Sequence, residues 1–196
     1  TEEPPTGGVS IMYKRVRLVD TVRVPPERLD DVSKDLVLEL LQDKLEGRCD
    51  EDLGWVVAVT DVHETGEGKI LYNEGGVFYE AEFDAIVFEP LMQEIIDGKV
   101  SEAVSFGLFV NVGPVDALLH ASQIGDDYFS FDEDNERLHS QESNRELAVG
   151  DPVRSRIVTV SIDERNPRDS KIGLTARQSG LGKHGWLEEE AQKAEQ

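Results

Sequence analysis

Cysteine is almost missing from this chain. Cys49 is the only one in 196 residues, so no disulfide can close within it, and a reducing cytosol is the expected compartment. Long apolar runs are missing too. No stretch reaches the roughly 20 residues that a spanning helix needs, and no cleavable leader is visible, so no membrane partner is expected. The four histidines, His63, His120, His139 and His184, have no metal-ligand spacing, and the lone cysteine supplies no partner for them. There is no phosphate loop of the Walker type and no nucleophile elbow. Gly66 and Gly68 are followed by a strand pattern rather than a helix, which makes them a turn and not a dinucleotide loop. Neighbouring carboxylates such as Asp126-Asp127 lie in acidic loop-like sequence, where a solvated face is expected. The residues therefore offer no catalytic, metal or cofactor site.

Positive charge is the last shortage. Asp and Glu outnumber Lys and Arg 41 to 20, a formal net charge of −21. Such a chain stays in solution and repels bare nucleic acid at low salt. Its apolar patterning is nonetheless that of an ordered protein. A halophilic source reconciles the two, because in molar salt the Debye length falls to about 3 Å. The same salt removes most of the counterion-release gain from phosphate contacts, so aromatic stacking would matter more than lysines. The rival reading is a partner-binding module that never touches nucleic acid.

Residues 1–11 are rich in Pro and Gly and read as a disordered leader, with Met12-Tyr13-Lys14 as the natural start and what precedes it as an extension or artefact. Met12 to Val24 reads as a strand, stopped by Pro25-Pro26. Glu27 to Glu46 reads as one helix, with Leu29, Val32, Leu36, Leu40 and neighbours forming a broad stripe and Gly47 as its cap. Arg48 to Gly54 is an exposed loop by composition. Trp55 to His63, Lys69 to Tyr72 and Val77 to Phe88 are strands of a meander, the first alternating strictly, with Trp55, Val57 and Val59 on one side. A helix on an antiparallel sheet, an α+β unit, is implied. Glu89-Pro90 is the natural boundary.

The chain after Pro90 is organised around Gly98 to Ile124. Val100, Val104, Phe106, Leu108, Val110 and Val112 share one parity, and period two puts them on one face of a strand. Phe109 has the other parity. A bulge at Gly107 would bring Phe106 and Phe109 to one face. Gly113-Pro114 turns, and a second strand runs into His120. Two rings near a glycine and a histidine on the next strand make a stacking platform, since each base stacked on an aromatic gains about 1–3 kcal/mol. Gly125 to Glu146 is an acidic insertion with eight acidic residues and two arginines, and Tyr128, Phe129 and Phe131 are placed to pin it to a surface. Leu147 to Asp151 reads as a turn, Val153 to Val160 and Lys171 to Ala176 as strands, and the Glu-rich tail after Leu181 as a frayed helix. Five strands with an insertion between the third and fourth fit an OB barrel.

Phe106-Gly107-Leu108-Phe109-Val110 and Leu118-Leu119-His120-Ala121-Ser122 are similar to the core of the S-one type RNA-binding OB domain. Over the longer span, Met12-Tyr13-Lys14, Arg23-Val24-Pro25-Pro26, Leu53-Gly54, Val59-Thr60-Asp61-Val62, Gly66-Glu67-Gly68-Lys69-Ile70, Asp127-Tyr128 and Lys171-Ile172-Gly173-Leu174-Thr175-Ala176-Arg177 resemble the E-prime family of archaeal RNA polymerase stalk subunits, whose eukaryotic counterpart is the seventh subunit of RNA polymerase II. The resemblance covers about Met12 to Trp186. It implies a non-catalytic subunit of DNA-directed RNA polymerase with a tip domain over 12–90 and an OB domain over 91–180. It implies pairing with the smaller stalk subunit, termed F, and docking on the polymerase core through Cys49, Leu53, Gly54, Gly66, Gly68 and Lys69. Emerging RNA would lie on Phe106, Phe109 and His120, with Arg156, Lys171 and Arg177 as phosphate candidates. The acidic insertion departs from what RNA contact needs. Two other readings are a free-standing RNA module of decay or translation, which leaves the first half unexplained, and an adaptor whose OB surface binds protein.

Overall fold

The computed structural model describes residues 12–72 and 74–194. The reading of residues 1–11 as a leader, and Asn73 of the expected turn, lie outside them. The chain divides into two compact units. One runs up to Glu89 and takes in Asp163–Pro167; the other comprises Pro90–Ile162 and the residues from Arg168 on.

The first unit is a helix on a sheet. Strand β1 (Tyr13–Val24) is followed by a 3-10 turn, Pro26–Asp31, and by helix α1 (Lys34–Leu45). The expected single helix from Glu27 is thus broken. Pro25 and Pro26 favour a tight first turn, and Ser33, in extended conformation, starts α1 afresh by accepting the Leu36 N–H on its hydroxyl at 3.3 Å. Then come β2 (Cys49–Asp50), β3 (Gly54–Thr65) and β4 (Val77–Phe88), in the sheet order β1-β4-β3-β2. The loop expected at Arg48 to Gly54 therefore holds a short edge strand, and Cys49 and Gly54 are buried. Lys69 to Tyr72 is not a strand: Lys69 makes one bridge to Phe78, and Ile70, Leu71 and Tyr72 are exposed.

Strand β3 does not alternate. Its pairing with β4 slips three times, between Val56 and Ala58, Val59 and Asp61, and Val62 and Glu64. Each bulge adds a residue, so Val56, Val59 and Val62 face α1 at a spacing of three, with Ala81, Phe83, Ala85 and Val87 of β4 beside them. Backbone groups turned from the ladder are met by the helix. Gln42 Nε2 donates to the Val59 carbonyl at 3.0 Å, and Glu46 Oε1 accepts the Val59 N–H at 2.9 Å. Gly54, at φ +80, lies where a Cβ would be 2.1 Å from the Phe88 carbonyl oxygen, so only glycine fits.

The second unit is a closed barrel. Its strands are β5 (Ile95–Val104), β6 (Gly107–Asn111), β7 (Asp116–His120), β11 (Pro152–Ser161) and β12 (Lys171–Thr175). They neighbour in the order β12-β7-β6-β5-β11, and β11 pairs β12 to close the ring. The chain is α+β, with an OB barrel in this unit. Val100, Leu108, Val110, Leu119, Val153, Ile157 and Leu174 fill its interior.

The insertion is ordered, not a loop. β8 (Ser130–Asp132), β9 (Arg137–His139) and β10 (Glu146–Ala148) form a small antiparallel sheet. β10 takes the first two residues of the stretch expected to be a turn, because Leu138 and Leu147 pair and both are buried. After β13 (Gly182–Lys183), the tail forms helix α2 (His184–Ala194). It is anchored rather than frayed. Trp186 is buried, stacks on Phe129 with ring centroids 6.3 Å apart, and carries the Arg145 guanidinium 5.0 Å above its ring.

Candidate nucleic-acid interface

The residues from Val100 to Val112 form a hairpin rather than one strand. β5 ends at Val104, Ser105-Phe106 turn, and Val104 pairs Gly107. The shared parity fails at the turn, so Val104 is only half-buried and Phe106 is exposed. No bulge forms at Gly107. The bulge lies on the partner strand, between Val100 and Glu102. Phe106 and Phe109 still meet, edge to face at 6.3 Å between centroids, because the tight turn folds Phe106 back over β6.

Register fixes what surrounds them. Leu108 faces Leu119 and Val110 faces Ala117, all fully buried. Their neighbours, Gly107 opposite His120, Phe109 opposite Leu118 and Asn111 opposite Asp116, form the outer face. Gly107 has no room for a side chain, since a Cβ would lie 2.5 Å from the Leu119 carbonyl oxygen and 2.9 Å from the His120 Cα. His120 caps the 3-10 turn Ala121–Gln123: its Nδ1 accepts the Ser122 N–H at 3.2 Å and lies 2.9 Å from the Ser122 hydroxyl. That fixes the ring of an exposed histidine. The Ala121 N–H donates to the Phe106 carbonyl at 2.9 Å, tying the histidine turn to the phenylalanine turn. Phe106, Phe109 and His120 are thus gathered on one outer face.

The cations are less concentrated. Lys171 is exposed on β12, beside β7, two residues before Gly173, which pairs Leu118. Arg177 follows β12, and its guanidinium donates to Asp126 of the insertion at 2.8 Å. Arg156 sits on β11, which pairs β5 and β12 but neither β6 nor β7, and its Nε is buried without a hydrogen-bond partner. The structure therefore puts Arg156 away from the rings. On β5 and β11, Asp97 is held below the usual carboxylate range by hydrogen bonds from Arg154 and, less strongly, His184. Two residues named from sequence make contacts that were not foreseen, Ser122 with His120 and Asp126 with Arg177. The His-x-Ser spacing announces the first; nothing local announces the second.

In the first unit the docking candidates differ in kind. Cys49 and Gly54 are buried and Leu53 is half-buried, with its N–H donated to Asp50 Oδ1 at 3.1 Å. Gly66, Gly68 and Lys69 are exposed in the β3–β4 loop. A Cβ on Gly68 would lie 2.6 Å from Val77 Cγ1 and 2.7 Å from the Tyr79 ring, so the loop is threaded closely over β4. On the sheet, Asp84 is buried under Arg15, Arg17 and His63. Hydrogen bonds from His63 above all, then from Arg17 and Arg15, hold its carboxyl far below the usual range against the opposing pull of burial. Among the described residues no group of histidines, cysteines and carboxylates is arranged to hold a metal, and no helix is long and apolar enough to cross a membrane.

Comparison with known proteins covers both units. The model for "SHS2 domain found in N terminus of Rpb7p/Rpc25p/MJ0397" matches residues 19–75, and that for "S1 RNA binding domain" matches residues 90–171. DNA-directed RNA polymerase subunit Rpo7 of Sulfolobus acidocaldarius is 36% identical over 184 residues, 93% of this chain and 99% of the relative. Rpo7 of Saccharolobus solfataricus is 35% identical over 178 residues, 90% of this chain and 97% of the relative. DNA-directed RNA polymerase III subunit RPC8 of Bos taurus is 26% identical over 162 residues, 80% of this chain and 79% of the relative. These relatives span the helix-on-sheet unit as well as the barrel, and a free-standing RNA module accounts for only the barrel. The chain belongs to the Rpo7 and Rpb7 family of DNA-directed RNA polymerase subunits.

Proposed function

We propose that the chain is a non-catalytic stalk subunit that pairs with the smaller stalk subunit, docks on the polymerase core through its first unit, and holds emerging single-stranded RNA on the barrel. The observation that carries the RNA reading is the gathering of Phe106, Phe109 and His120 on one outer face around a glycine too crowded for a side chain. An edge-to-face pair with a fixed imidazole beside it offers π-faces to bases of any sequence. Lys171 is a phosphate partner that makes no ion pair among the described residues, and Arg177 serves once released by Asp126; Arg156 is the weakest of the three. For docking, the exposed Gly66, Gly68 and Lys69 present backbone and one cation, Leu53 presents a half-exposed side chain, and Cys49 and Gly54 act by holding their loop in shape.

The test for RNA is photocrosslinking of a labelled transcript to the assembled polymerase carrying Phe106→Ala and Phe109→Ala. Each lost stack is worth about 1–3 kcal/mol, so crosslinking to this chain falls at least fivefold while assembly is kept. Unchanged crosslinking refutes the platform. Copurification of the core and a small subunit with a tagged chain tests the assembly separately.

A further inference from the structure

The ringed face carries two carboxylates besides its rings. Glu102 of β5 pairs Phe109 directly, and Asp116 of β7 lies diagonally from it, two residues before Leu118. Directly paired residues on one face are about 5 Å apart and diagonal ones about 7–8 Å, both within reach of a base resting on the ring. Both carboxylates are exposed. Among the described residues neither makes an ion pair, in a unit where Asp97, Asp126, Asp132, Glu146 and Asp151 all do. Asp116 is also held in place: Asn111 Nδ2 donates to its Oδ1 at 3.1 Å, which leaves the other oxygen open.

An ionised carboxylate only accepts hydrogen bonds. A base lying on Phe109 thus meets acceptors on two sides. Cytosine offers its N4 amino group there, and carboxylates accept from that group. Uracil offers O4 at the same position, an acceptor against an acceptor. We infer that Glu102 and Asp116 are specificity determinants that make the Phe109 seat favour bases bearing an exocyclic amino group over uracil. The inference rests on the platform reading above.

The two pyrimidines isolate the effect, because their rings are of one size. The full chain is titrated at fixed moderate salt and pH 7 with fluorescein-labelled oligo(rC) and oligo(rU) 12-mers. The expected result is oligo(rC) binding at least about fivefold tighter, the lower end of what one good base-edge contact discriminates. In the Glu102→Gln, Asp116→Asn variant, whose amides also donate, the ratio falls to within about twofold, chiefly through a gain for oligo(rU). Equal binding of the two oligomers by the unaltered chain overturns the inference, and so does an unchanged ratio in the variant. Phe109→Ala separates this from the platform itself. If it weakens both oligomers while their affinities are equal, only the specificity fails; if it weakens neither, the platform fails and the specificity with it.

Discussion

Gly107 is where the fold and the ringed face depend on the same few atoms, so Gly107→Ala tests both. A Cβ at this position would lie 2.5 Å from the Leu119 carbonyl oxygen, 2.9 Å from the His120 Cα and 3.2 Å from the Ala121 nitrogen. All three are backbone, and no rotamer change relieves them. To restore an ordinary contact of 3.4 Å at the oxygen, β7 must retreat by 3.4 − 2.5, about 0.9 Å. That shift loosens Leu119 and Ala117, which are fully buried against β6. Overpacking of this kind costs about 1–3 kcal/mol. For a unit of this size each kcal/mol lowers the melting temperature by about 4–8 °C, so a fall of roughly 4–24 °C is expected in the barrel's transition. His120 moves with the strand, so RNA affinity falls beyond what the lost stability explains. The assay is calorimetry of the full chain with RNA titration well below the transition. Gly185→Ala is the control, since nothing lies within 4 Å of its Cβ and its backbone is not left-handed. A melting temperature for Gly107→Ala within about 2 °C of the unaltered chain would mean that β6 and β7 are not this close, which refutes the crowding at Gly107.

Three further outcomes follow from named contacts. The Asp84 carboxyl titrates far lower folded than the value near 4 of an unfolded chain, so its contribution to stability is complete above pH 4 and is lost as pH falls through the acid range below it; thermal melts from pH 6 to pH 2 should show a steeper acid decline for the unaltered chain than for Asp84→Asn. Trp186→Ala removes a buried ring held by Phe129 and Arg145, at about 3–5 kcal/mol, and tryptic cleavage at Arg137 and Arg145 should accelerate. Asp126→Asn frees Arg177; an exposed pair is worth at most about 1 kcal/mol, so RNA affinity at low salt should rise by no more than about fivefold in a binding titration, and the gain should vanish near 1 M salt.

Much of this was legible in the sequence, and the losses have physical causes. β4 alternates Tyr79, Ala81, Phe83, Ala85 and Val87 against acidic residues, and it forms as read because a central strand with one apolar face has one stable register. β3 defeated the same rule. Its Val56, Val59 and Val62 face the helix only because bulges intervene, and bulges are set by the partner strand and by Gln42 and Glu46, not by local pattern. The turn at Ser105-Phe106 was hidden because Val104 and Phe106 continue the parity of both strands. The rings and His120 carry their chemistry in their residue types, so they could be named from sequence; Glu102 could not, since its place beside Phe109 depends on cross-strand pairing and on a bulge. The acidic insertion read as loop because charge dominates its composition, while its order comes from single buried residues, Phe129, Leu138 and Leu147.

Salt gives the sharpest link between this charge pattern and the proposed RNA contact. Half of the lysines and arginines of the barrel unit are already engaged: Arg137, Arg145, Arg154, Arg177 and Lys183 each pair a carboxylate. A phosphate gains little from a cation that must first leave its partner. Flanking the rings, Lys171 on β12 and Lys99, which pairs Asn111, make no ion pair among the described residues. If these two carry the phosphate contacts, the logarithm of the RNA association constant should fall with the logarithm of salt at a slope near −1.4, about −0.7 for each phosphate neutralised on a single strand. Binding then persists at salt concentrations that release proteins with many phosphate contacts, because what remains is stacking, which salt does not screen. Titration between 0.1 M and 2 M potassium chloride measures the slope. A value steeper than about −3 would require at least four phosphates neutralised, more than this face supplies, and would move the RNA track to another surface.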